Sequence, residues 1–255
     1  MHFTKNKLFL GTRTLIGPFF VFVAWWLFRF FNVVNPIFLP GIFDTAHALV
    51  GFFMEKGTLH VLFTLYRTLA GFLIAALVGI SLGLFVGINR KVYRSIEVLI
   101  DFFRSLPASA LFPLFLLVFG IGDASKIAIS AFTVFWTVFL NTIHGVWNIP
   151  PVRIEVAKVY QASKFQLMRD VIIFDSLPQI LVGLRIGLSL SLIIVIVSET
   201  FVGCRYGIGK SLYESYAIYD TPQIYALIVV AGFLGFFLNK SLLFIEKRVI
   251  HWAGE

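Results

Sequence analysis

Charge is scarce in this sequence. Asp, Glu, Lys and Arg together make up 13% of the 255 residues, about half the share of a soluble domain. With 59% hydrophobic residues, this excludes a solvated globular chain and points to an integral membrane protein. Cysteine is nearly absent. Cys204 stands alone, so neither an intrachain disulfide nor a thiolate-based metal site can form. His2, His47, His60, His144 and His251 show no metal-ligand spacing, and no serine or cysteine nucleophile has a base close by in sequence, so nothing marks the chain as an enzyme. The net charge of +8 is spread over short connections without the interleaved aromatics of a nucleic-acid surface. Its natural use is to orient a chain in a bilayer, and no nucleic acid is expected as a partner.

What is present is apolar length. A chain of this size holds about six spans of about 20 residues each, so the expected fold is an all-α polytopic membrane protein with about six transmembrane helices. Lys5, Lys7 and Arg13 precede a first apolar run over residues 15–31. That run continues through Trp25, Trp26 and Phe28 without a small-residue cleavage site, so it reads as an uncleaved span. The apolar connection 32–58, with Pro36, Pro40 and Gly41, reads as an interfacial segment. Span two covers 59–88, followed by a charged loop over 89–105 with Arg90, Lys91, Arg94 and Arg104 against Glu97 and Asp101. Span three covers 106–119, with Pro107 at its start and a kink expected at Pro113. Gly120, Gly122 and Asp123 turn the chain into span four, 124–143; spans five and six cover 177–197 and 225–244.

Small residues recur every four positions in span two, at Gly71, Ala75, Gly79, Gly83 and Gly87, and again in span five at Gly183, Gly187 and Ser191. Such ridges let membrane helices approach closely. Three charges fall within or at the edge of spans: Arg67, Arg185 and Glu199. An ionisable group in hydrocarbon costs about 2.5–3.5 kcal/mol on insertion scales and usually faces a partner or a water-filled path. Arg67 and Glu199 fall near the same face, which suggests a structural ion pair. The alternatives for Arg67 are attraction of an anionic solute and snorkelling to the interface. Counted over alternate connections, fourteen Lys and Arg fall on one side and five on the other, the five being Arg29, Lys56, Lys126, Arg205 and Lys210. This excess places both termini and the connection between spans four and five in the cytoplasm.

That connection, residues 150–178, is the longest polar interruption in the carboxy-terminal two-thirds of the chain. Pro150 and Pro151 suit a helix start, and Val152, Val156, Val159 and Tyr160 then fall on one arc with Arg153, Glu155 and Lys158 off it. Glu155 falls in or near the first turn, where the helix dipole favours a carboxylate. The run Glu155, Val156, Ala157, then Tyr160, Gln161, Ala162, Ser163, and later Leu177 and Pro178, resembles the EAA loop of ABC-importer permeases. It departs from that pattern at Val156 and at Gln161, which stands where the family has a glycine able to take a positive φ. The phrases TLYRTLAGF, RSLPASALFPLFLLVFGIGDASK and LPQILVGLRIGLSLSLIIVIVSE are similar to the nitrate, taurine, aliphatic sulfonate and bicarbonate branch.

The resemblance implies a permease domain over 15–246, with a coupling loop over 150–176 between a cytoplasmic amino-terminal segment, 1–14, and a tail, 247–255. It further implies a multi-pass protein of the bacterial inner membrane, present as a homodimer, with ABC ATPase subunits docked on the coupling loop and an extracytoplasmic binding protein delivering a small solute. That solute would be an anion of the kinds carried by the branch, or a thiamine precursor or other small organic molecule. No cofactor is expected in this chain, because ATP and Mg would sit on the partner ATPase. The stretch Cys204–Ser211 nearly spells a phosphate-binding loop, but Cys204 stands where its first glycine must be and no buried strand precedes it. Gly207, Ile208 and Gly209 instead resemble a Gly-Leu-Gly-like turn of the family's external loop. A rival of another class, an ATPase-independent secondary transporter, calls for discontinuous helices paired across two halves of the chain.

Overall fold

The computed structural model describes residues 3–31 and 33–250, and of residues 3–15 and Pro18 it describes the backbone alone. His2 and His251 therefore lie outside the described residues, as do the side chains of Lys5, Lys7 and Arg13. Every regular element described is a helix, and the chain divides into two compact units.

The smaller unit takes residues 1–57 and 214–230. Its first helix, α1 (Phe3–Phe30), begins well before the apolar run over 15–31. The connection after it carries α2 (Ile42–Glu55), where an interfacial segment is expected. Asp44 in the first turn of α2 accepts the Gly41 N–H at 3.2 Å, a cap that also suits the helix dipole. Phe43 and Met54 of α2 are 90% and 82% exposed, as on a helix lying at an apolar interface. Trp25 Nε1 donates to the Pro40 carbonyl at 3.1 Å and Tyr225 Oη to the Phe38 carbonyl at 3.2 Å, so the backbone between α1 and α2 is tied down.

The larger unit takes residues 58–213 and 231–255. In the described chain, four helices are long and apolar enough to cross a membrane: α3 (Gly57–Ile88), α6 (Asp123–Trp147), the continuous helix Lys164–Val202 and α11 (Thr221–Val249). A bent pair of helices over residues 90–119 raises that number to five at most, against the six expected. The residues expected as a charged loop, 89–105, form the helix α4 (Arg90–Ser105), because Tyr93, Ile96, Ile100 and Phe103 recur at helical spacing and Ile100 buries its side chain. After α4 the chain bends by 87°, passes one 3₁₀ turn (Ala108–Leu111) and continues as α5 (Phe112–Phe119). Pro113 thus does not kink a long span. It sits in the first turn of a short helix, where its missing N–H costs nothing.

The core is α6 held between two helices with small faces. A Cβ added at Gly71 would come within 2.8 Å of Ser130, at Gly79 within 3.2 Å of Val138, at Gly83 within 2.6 Å of Thr142 and at Gly87 within 3.0 Å of Val146. The ridge of α3 therefore advances along α6 four residues at a time on both helices, with Ala75 in the same cluster as Val134. From the other side, Gly187 of α9 (Phe174–Val202) faces Val134, and Gly183 faces Asn141. Val134 and Val138 are wholly buried as a result. Packing this tight has no slack for a methyl group. Gly83→Ala should destabilise the chain by about 1–3 kcal/mol, seen as a lower apparent melting temperature in detergent. Gly232→Ala, where an added Cβ meets nothing within 4 Å, should leave the melting temperature within error of the parent.

Candidate functional site

The 150–178 connection begins with α7 (Pro151–Val159), Pro151 occupying the first helical turn. Val152, Val156, Val159 and Tyr160 are between 48% and 83% exposed, while Ala157 turns inward and is buried. Glu155 and Lys158 are exposed beside this arc. The helix is stopped by Gln161, whose φ is +55°. The Gln161 N–H reaches the Lys158 carbonyl at 2.9 Å and the Ala162 N–H reaches the Ala157 carbonyl at 3.0 Å. This is the Schellman arrangement, with glutamine in the left-handed position that glycine usually fills. Departure from glycine leaves the turn in place at the cost of αL strain.

Ser163 then starts the next helix. Its Oγ accepts the Gln166 N–H at 3.3 Å, and Gln166 Oε1 accepts the Ser163 N–H at 2.8 Å. The second part of the connection is not a separate short helix: α8 (Lys164–Gln166), a π-helical run (Leu167–Ile173) and α9 form one helix from Lys164 to Val202. Leu177 and Pro178 therefore lie inside it. Arg153 of α7 forms an ion pair with Asp175 of α9, fixing the exposed arc to the span that follows it.

The opposite end of the larger unit carries a buried polar clasp. The structure brings Arg67 and Glu199 together: Arg67 Nη1 donates to Glu199 Oε1 at 2.5 Å and to the Tyr206 carbonyl at 2.8 Å. Arg67 Nε and Nη2 both reach Asp123 Oδ1, at 2.8 and 2.7 Å. Arg67 is 2% exposed and Glu199 fully buried, so the guanidinium does not snorkel to an interface. Glu199 also accepts the Thr64 hydroxyl and the Gly209 N–H at 3.0 Å, and Thr64 accepts the Ile208 N–H at 2.9 Å. These amides open α10 (Ile208–Ala217). An internal carboxylate thus sits at the helix N-terminus where a phosphate loop would hold phosphate. Gly207 and Gly209 allow this approach, since a Cβ on either would fall within 2.7 Å of Glu199. His60 Nδ1 lies 2.7 Å from Ser211 Oγ and 3.2 Å from the Gly207 nitrogen.

Lys126, counted from sequence among the charges of a polar connection, is wholly buried in α6 and donates to the Gly122 carbonyl at 3.1 Å. Arg185 is partly exposed and lies 3.7 Å from Glu246. The sequence reading overlooked His60, Thr64 and Asp123 as members of the clasp. The signal available was the spacing of His60, Thr64 and Arg67, four and three residues apart on an otherwise apolar helix. Among the described residues, no group of three His, Cys, Asp or Glu is placed to hold a metal ion.

The described chain is thus all helical, with several apolar spans, a buried ionic clasp at one end and an exposed knob between two spans. Residues 75–251 match the family described as "Binding-protein-dependent transport system inner membrane component", and the chain belongs to that family. It is 29% identical to the taurine transport system permease protein TauC of Escherichia coli, over 91% of this chain and 86% of that one. It is likewise 29% identical to the bicarbonate transport system permease protein CmpB of Synechococcus elongatus, over 81% and 76%. The fold matches a chain of the MetNI methionine ABC transporter in an inward-facing form, with a TM-score of 0.64, 21% identity and coverage of 76% of this chain and 98% of that one. The protein is accordingly a permease subunit of an ABC importer, of the branch to which the taurine and bicarbonate permeases belong.

Removing one partner of a buried ion pair leaves an uncompensated charge, at about 3–5 kcal/mol. Arg67→Gln and Glu199→Gln should each lower the apparent melting temperature sharply, and the double variant should lose less than the sum of the two. Additive losses in thermal melts would show that the two groups act independently.

Proposed function

We propose that this permease works by alternating access, driven by a separate ABC ATPase that docks on α7, and that ATP and Mg are bound by that ATPase alone. The observation that carries the reading is the exposed arc of Val152, Val156, Val159 and Tyr160. These side chains lie open on a helix pinned by the Gln161 turn and the Arg153–Asp175 pair. A rigid apolar knob with a charged rim at Glu155 and Lys158 suits insertion into a groove of a partner protein. The charge asymmetry supports a cytoplasmic position for that knob and both termini. Taking Arg104, in the last turn of α4, and the buried Lys126 out of the count leaves the excess on the same side. A second copy of the chain completes the pathway, and an extracytoplasmic binding protein supplies the solute at the end where the Arg67–Glu199 clasp lies. The solute is a small anion of the kinds that relatives' names carry, taurine and bicarbonate among them. The described chain has one broken crossing, where a secondary transporter of the inverted-repeat kind calls for a matching pair.

Val156→Asp or Tyr160→Asp places a carboxylate in the docking contact. An ATPase that co-purifies with the parent chain should be lost from either variant, while insertion and thermal stability stay at parental values. Retention of the ATPase by both would place docking elsewhere. At Gln161 the backbone sets the outcome: Gln161→Gly should keep docking, whereas Gln161→Ile, a β-branched residue at positive φ, should weaken both docking and stability.

A further inference from the structure

The bend after α4 opens a cavity of about 410 Å³ between the end of α4, the middle of α6 and Leu190 of α9. That volume lies in the range of small-molecule sites. Its contributions from α6 run from Phe132 to Leu140 and straddle the helix midpoint, so the cavity lies deep between the two membrane faces. Phe103 stacks on Trp136 at 5.7 Å and Phe132 meets Trp136 edge-on at 6.0 Å, making a wall of three aromatic rings.

Charge and hydrogen bonding define what this space accepts. Among the described residues, Arg104 is the one charged residue that lines it, and no carboxylate does. The guanidinium pairs through Nε with Asp101 at 2.9 Å and is 53% exposed, and its five N–H donors exceed what that one contact uses. The indole Nε1–H of Trp136 is buried and finds no acceptor among the described residues, and Thr137 adds a hydroxyl. The hydroxyls of Ser105 and Thr133 are spent on carbonyls of their own helices. A charged pair such as Arg104 and Asp101 does not face lipid at mid-depth, so α4 turns this face toward a water-filled path or another chain.

We infer that this cavity is a resting site for the transported solute, and that its ligand is an organic anion: one acidic head group on Arg104, with an apolar or aromatic body against Phe103, Phe132 and Trp136. Beyond the single indole N–H of Trp136, the aromatic wall offers a bare inorganic ion only ring faces, so such an ion would lose its hydration for little contact in return. Apolar contact by the rings favours an alkyl or aryl body, and the planar guanidinium favours an oxyanion. The inference rests on the transport reading given above, and it narrows the solute from small anions in general to organic ones.

The test is equilibrium binding of radiolabelled butanesulfonate to the full chain in phosphatidylcholine nanodiscs, with no ATPase and no nucleotide present. Saturable binding is expected, displaced by benzenesulfonate and unaffected by nitrate at equal concentration and ionic strength. Arg104→Gln should weaken binding by about tenfold or more, and Trp136→Phe, which keeps the ring and removes the donor, by about threefold to tenfold. Absence of saturable binding, displacement by nitrate as effective as by benzenesulfonate, or parental affinity in both variants would each overturn the inference. Because the assay contains no ATPase, its failure is separate from a failure of docking on α7.

Discussion

Close approach of α6 to two neighbours is the constraint on which the larger unit depends. Lipid chains are as apolar as leucine, so burial from water gives membrane helices no reason to associate. Dispersion contact at short range has to do it. Gly71, Gly79, Gly83 and Gly87 bring α3 onto α6, and Gly183 and Gly187 bring α9 onto its other side. With Val134 and Val138 closed off between them, the three helices have one register. A shift by one residue would set Thr142 against Leu82 or Leu84 and Val146 against Val86 or Ile88, in place of the glycines they now face. The clasp, the cavity beside α6 and the exposed helix α7 are then placed along one packed sandwich.

The clasp fixes what packing alone leaves open, the relation of α10 and the turn before it to the three-helix core. A buried ion pair contributes little net stability, since desolvation of two charges offsets their attraction. Its value is selectivity for one arrangement, and here that role is strengthened by count. Arg67 is held by Asp123, Glu199 and the Tyr206 carbonyl, and Glu199 by Arg67, Thr64 and the Gly209 amide. Residues from α3, α6, α9 and α10 must all be in place for either charge to be satisfied. Misregister at this end therefore carries a large penalty, which small-residue packing does not impose by itself.

The spans, the two ridges and the proximity of Arg67 to Glu199 are legible in sequence because each follows from one helix's own periodicity. Three features are not. The charges of Arg90 to Arg104 outweigh the apolar positions of α4 in any hydropathy window, so half a crossing reads as a loop; its burial against α6 is a tertiary fact. Pro113 reads as a kink within a span because the bend that isolates α5 occurs six residues earlier. Lys126 follows a tight Gly120–Gly122 turn and looks exposed, yet the clasp around Arg67 closes over it. His60 and Thr64 were within reach, since a polar stripe on an apolar helix is itself a signal, but their partner is a turn about 150 residues away and no local pattern names it.

The helix from Lys164 to Val202 joins the two ends of this arrangement. At 1.5 Å per residue, its 39 residues extend about 58 Å, from the capped turn beside α7 to the carboxylate that anchors α10. A straight α-helix of that length would transmit a push at one end to the other with little loss. The π-helical run at Leu167–Ile173 lies between α7 and the small-residue contacts of α9, and π segments have weaker, wider hydrogen-bond geometry than the helix around them. The π run thus lies at the α7 end of this helix, and Arg153 grips Asp175 two residues beyond it. That pair bridges the soft segment. With it in place, α7 is tied by a side-chain pair to the part of α9 that lies beyond the π run, so the knob and the packed face at Gly183 and Gly187 are linked by more than the backbone between them.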